Sequence, residues 1–208
     1  MNTFEQFAEE LQQLTPYRIR FKDEAWEMQL LNLLVMWFCP EFLTRYTTVI
    51  GRTIYFPNRL YVRHHPRSAM RTLAHEAVHL LDQRRWGTGL FALSYLFPQV
   101  LGLGLFLFPW IGAYAFLFLI FVAPWPAPFR YYFEARAYAL DYLTAAPPFR
   151  DATLRGIAHQ FESWDYYRMY PFPDAVEAKV LHWARQAEEG NDKNLLKVLL
   201  IYEMATEA

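Results

Sequence analysis

Cysteine is all but missing from this chain: Cys39 is the only one in 208 residues. An intramolecular disulfide and a cysteine-built zinc site are both excluded. There is no Asn-x-Ser/Thr acceptor, and residues 1–14 form an acidic amphipathic stretch rather than a basic segment with an apolar core, so no secretory signal is expected. The net charge is -1 and no basic stripe is present, so no nucleic-acid partner is expected. These absences favour a reducing, cytoplasm-facing location. Charge itself is missing from one long block. From Trp86 to Phe129 there is no Asp, Glu, Lys, Arg or His, and Gln99 is the only strongly polar side chain.

What is present reads mainly as helix. Phe4, Phe7, Ala8, Leu11 and Leu14 recur at helical spacing over 3–14, and Pro16 ends that run. Tyr17 to Phe21 alternates apolar and basic, a short strand signal. A second helix is expected over 24–38. Its nine-residue, almost wholly apolar run from Leu30 to Phe38 is too short to span a bilayer, so a buried core helix is expected, stopped at Cys39-Pro40. Thr47–Ile50 and Thr53–Phe56 are β-prone runs around Gly51-Arg52, the pattern of a tight hairpin. Helices are further expected over 129–143, 151–169, 174–188 and 192–204, separated by Pro147-Pro148, by Pro171 and Pro173, and by Gly190-Asn191. No internal repeat or low-complexity linker is visible.

The chemistry concentrates in His75-Glu76-Ala77-Val78-His79, an HExxH pattern on a helix that begins near Pro66 and ends at Gly87. Residues four apart share a helix face, so both imidazoles can reach one ion. Glu76 stands where a carboxylate can take a proton from water activated by that ion. Met70, Leu73, Ala74, Ala77, Val78 and Leu81 supply the buried stripe such a helix needs. The bland alternative is two half-buried histidines and a solvated glutamate.

Two histidines are too few. A catalytic zinc takes three protein ligands and keeps one position open, so a third donor must lie elsewhere. Glu134 is the leading candidate, on a helix beside Ala135, Ala137 and Ala139, whose small side chains permit close helix approach. Asp141, His159 and His182 are the fallback ligands. Asp82 and Asp141 are candidates to orient the imidazoles by accepting their second ring proton. Tyr138 is a candidate donor to an oxyanion, with simple helix packing as its alternative.

The charge-free block divides into Leu90–Phe108 and Trp110–Trp125, with a turn over 108–112. These lengths suit a helical hairpin that crosses a bilayer, dips into one leaflet, or packs on protein. Arg84 and Arg85 before it and Arg130 after it place both flanks on the cytoplasmic side by the positive-inside rule.

HEAVH followed by a helix bearing EARAYALD resembles the gluzincin class of zinc metallopeptidases. With an apolar hairpin between the two motifs, the chain resembles more specifically the membrane group of CAAX prenyl endopeptidases and HtpX-type heat-shock peptidases. That resemblance covers roughly residues 68–143. It implies His75, His79 and Glu134 as Zn2+ ligands and Glu76 as general base. The group commonly has an aspartate where Tyr138 stands, and membrane spans before the motif, which this chain lacks. The expected fold is mainly α (α+β): a zincin-like helical domain with a small β-hairpin and an inserted hydrophobic helical hairpin. Residues 1–88 would form the half with the active-site helix, 89–127 the insertion, and 128–208 the half carrying the third ligand. The expected function is a zinc-dependent endopeptidase acting on a peptide or protein substrate, associated through residues 90–125 with a lipid bilayer or a hydrophobic protein partner. The competing expectations are a structural or assembly protein on the same scaffold, and a hydrolase of non-peptide amides.

Overall fold

The computed structural model describes residues 3–36, 40–44 and 46–207. It is mainly helical with one small sheet, as expected for a mainly α (α+β) chain. The chain divides into two compact units, residues 1–81 with 197–208, and residues 82–196.

In the first unit, α1 (Thr3–Leu14) buries Phe4, Phe7, Ala8 and Leu11, the stripe set by its 3.6-residue period. After β1 (Arg18–Phe21) and α2 (Trp26–Val35) come β2 (Thr48–Ile50) and β3 (Thr53–Phe56). The last two form the expected antiparallel hairpin, with Gly51 at φ +60° in its turn. β1 adds in parallel on the other side of β3, with Arg18 opposite Thr53 and Phe21 opposite Phe56, giving the order β1-β3-β2. A parallel pair needs a long crossover, and α2 lies within it.

α2 corrects an expectation. It is not a buried core helix: Leu30, Leu33 and Leu34 are 52%, 62% and 68% exposed, while Ala25 and Met28 are buried against Tyr55. A run that is apolar at all but one position, Asn32, carries little pattern to say which side turns inward, and here one narrow edge meets the sheet. Phe38 and Cys39, expected at its end, lie outside the described residues. α3 (Arg59–His64), which periodicity did not reveal, is capped by Asn58, whose side-chain oxygen accepts from Tyr61 N at 2.7 Å. The motif helix is α4 (Pro66–Trp86), and all six residues of its expected stripe are buried. Gly87 beyond it takes φ +80° with ψ 140°, an extended conformation at positive φ that favours glycine and cannot continue the helix.

The second unit begins at the last turn of α4. α5 (Thr88–Tyr95) opens the charge-free block, in which Gln99–Leu107 and Gly112–Val122 are 3-10 helices joined by α6 (Phe108–Ile111). The turn lies where the sequence puts it, but the limbs wind tighter than α-helices. They also pack closely. A Cβ added to Gly104 would sit 2.3 Å from the Phe118 ring, so only glycine permits this approach.

Beyond the block come α7 (Pro128–Thr144), α8 (Arg150–Glu162), α9 (Pro173–Glu188) and α10 (Lys193–Glu207). α8 stops seven residues short of the expected end at Met169. Tyr167 and Arg168 take φ of 56° and 46°, turning the chain so that Met169 is buried and its carbonyl accepts from Ala127 N at 2.9 Å.

Candidate metal centre

α4 sets His75 and His79 one turn apart, with ring centroids 5.0 Å from each other. α7 supplies Glu134, which is 4% exposed. One ligand atom from each of His75, His79 and Glu134 lies within 4.8 Å of the other two. The three ligands expected from sequence are therefore together, and among the described residues no other His, Cys, Asp or Glu group meets this geometry. Two imidazoles and a carboxylate are a donor set that suits zinc and leaves a position open. Burying them at one point is costly unless a cation or hydrogen bonds compensate, so the donors fit a divalent ion. Asp141, half-buried on α7, and His159 and His182, exposed on α8 and α9, stand outside the group.

Glu134 is held by a residue that periodicity and motif both missed. The Tyr95 hydroxyl, at the last residue of α5, donates to Glu134 Oε1. Burial, and then the Glu134 charge, push the Tyr95 phenol well above its ordinary pKa, so it keeps its proton and acts as a donor. The Arg130 guanidinium, one turn before Glu134, lies 5.2 Å from the Tyr95 ring centre and 5.6 Å from that of Tyr166. Its charge is thus turned toward this cluster. One turn after Glu134, the Tyr138 and Tyr166 hydroxyls share a 2.6 Å hydrogen bond, and the Tyr138 ring packs on Phe161. Burial, then Tyr166, raises the Tyr138 phenol well above its usual value.

Asp82 is engaged as well. Its Oδ1 accepts from Arg136 Nη1 at 2.7 Å, with both residues 4% exposed. Arg136 also grips Asp192 in a fork, through Nε at 2.7 Å and Nη2 at 2.9 Å. Asp192 in turn caps α10, its Oδ1 accepting from Leu195 N at 3.0 Å. Arg136 did leave a trace in the sequence: an arginine between alanines, two residues after a buried glutamate, is seldom buried unless paired. Tyr95 left none, since it lies inside the charge-free block, 39 residues before the carboxylate it serves.

Comparison with protein-family models, curated proteins and solved structures finds no match to this chain.

Proposed function

We propose that this chain is a zinc-dependent endopeptidase working at a membrane surface. The observation that carries the reading is the meeting of His75, His79 and Glu134, with Glu76 on the same turn of α4. When bound, zinc supplies Lewis acidity toward a scissile carbonyl and lowers the pKa of water toward ~7. The two imidazoles and Glu134 would hold it, with Tyr95 fixing the carboxylate through Oε1. Glu76 is partly exposed, as a group that meets substrate must be. It takes the proton of the attacking water and returns it to the leaving amine, a role worth about 10²–10⁴-fold in rate.

Replacing Glu76 with glutamine keeps the size of the side chain and removes its basicity. Glu76→Gln is expected to bind zinc stoichiometrically and to lose peptide hydrolysis by at least about a hundredfold. Unimpaired hydrolysis by that variant would sink the assignment. A second reading, an assembly protein on the same scaffold, draws support from the broad apolar exposure of residues 90–125. Metal analysis separates the two, because purified protein without near-stoichiometric zinc favours assembly.

A further inference from the structure

We propose that the fold-back of residues 99–122 enters a single leaflet of a lipid bilayer and returns, holding the chain to the membrane without crossing it. This deepens the membrane-surface part of the function proposed above.

The surface comes first. Phe106, Trp110, Tyr114 and Leu117 are 75%, 78%, 75% and 70% exposed, and almost nothing of the 99–122 segment is buried. Soluble chains rarely leave so large an apolar patch in water. Both limbs are helical, so their backbone groups bond internally, which hydrocarbon demands and a water-facing loop does not.

Reach then separates entering from crossing. The 24 residues Gln99–Val122 are long and apolar enough to cross as one straight rod. They are not straight. Gly112, at φ 57° and ψ -139°, breaks the run, and Gly104 against Phe118, with Gly102 against Val122, locks the second limb back along the first. At about 2 Å per residue in a 3-10 helix, limbs of nine and eleven residues extend roughly 18–22 Å. A hydrocarbon core of about 30 Å is too thick for that, while one leaflet is not.

The root of the hairpin carries the chemistry of a headgroup layer. Gln99 Nε2 donates to the Trp125 carbonyl at 3.1 Å, tying the two limbs at their base, and the Tyr167 hydroxyl donates to the Val122 carbonyl. Trp125 is 46% exposed and Trp164 67%, with the Arg168 guanidinium 5.8 Å from the Trp164 ring centre. Exposed tryptophans and an exposed arginine at one end of an apolar projection match the interfacial belt of membrane proteins.

The test uses the full chain and sealed phosphatidylcholine–phosphatidylglycerol vesicles loaded with a membrane-impermeant maleimide. Cys39→Ser with Trp110→Cys leaves one thiol at the turn, at a position exposed enough to tolerate the change. The expected result is flotation with the vesicles and a thiol labelled neither from the lumen nor from outside. A nitroxide on the same thiol should be relaxed by lipid-soluble oxygen and not by an aqueous paramagnetic complex. Labelling from the lumen would overturn the proposal in favour of a crossing. Failure to float would overturn it in favour of a protein partner. Leu117→Lys, on the exposed face, is expected to weaken partitioning about a hundredfold, and undiminished partitioning would count equally against it. Zinc content and hydrolysis by Glu76→Gln are measured without vesicles, so the peptidase reading and this one can fail separately.

Discussion

At Glu134 one carboxylate serves two neighbours. Its Oε1 accepts a hydrogen bond from the Tyr95 hydroxyl, which orients the carboxylate before any ion arrives. Removing that hydroxyl alone, in Tyr95→Phe, is expected to weaken zinc binding by about 10–100-fold while leaving the fold intact, because partners of this kind orient a ligand rather than supply it. Competition with a chromophoric chelator measures the affinity, and an unchanged value would reduce Tyr95 to a packing residue. His75 and His79 were legible in sequence because helix geometry fixes the spacing of residues four apart. Glu134 was legible only by arithmetic, since zinc needs a third ligand and few acids lie downstream in suitable company. No local rule links residues 95 and 134, so Tyr95 became visible only once the chain had folded.

Among the elements, α7 matters most. It carries Glu134 and, two residues on, Arg136, which joins the end of α4 at Asp82 to the cap of α10 at Asp192. Burial alone would raise the Asp192 pKa, but the Arg136 fork and the α10 amides outweigh it, and the carboxyl ends below its ordinary value. A depressed folded-state pKa gives stability that is present above the unfolded value of about 3.9 and lost as pH falls through the folded one. Asp192→Asn is therefore expected to cost about 1–3 kcal/mol at neutral pH and to flatten the acid limb of a urea-unfolding series below about pH 4. An acid limb matching that of the parent would show the fork to be decoration. The helices were legible where one stripe was apolar and the rest polar, as in α1 and α4. That signal vanished in the Leu30–Val35 half of α2, apolar but for Asn32, and in the 99–122 block, where nearly every side chain is apolar and periodicity distinguishes neither the buried side nor the tightness of the winding.

For the whole molecule, the proposed metal would be linked to stability. An ion that binds the folded chain and not the unfolded one stabilises by RT ln(1 + [L]/Kd), about 4 kcal/mol at a thousandfold excess over Kd. For a chain of this size that corresponds to a rise in Tm of roughly 8–16 °C. Thermal unfolding with saturating zinc, and again after chelation, should differ by about this amount. Equal midpoints would mean that the buried donors do not hold the ion. The apolar projection acts at the same scale, because residues 99–122 contribute little buried surface of their own and must gain from what covers them.

By itself, the sequence determined what short-range geometry controls. It set the HExxH face, the stops at Gly87 and in the 108–112 turn, the β-hairpin, and the charge-free block that water would not cover. Tertiary structure decided what depends on distant residues meeting. It paired β1 with β3, turned Leu30, Leu33 and Leu34 of α2 outward, brought Glu134 to the histidines and Tyr95 to Glu134, and buried Arg136 between two aspartates. The reason is physical. Periodicity records the environment of one element along its own axis, whereas a site is a coincidence of side chains from several, fixed only when their packing is.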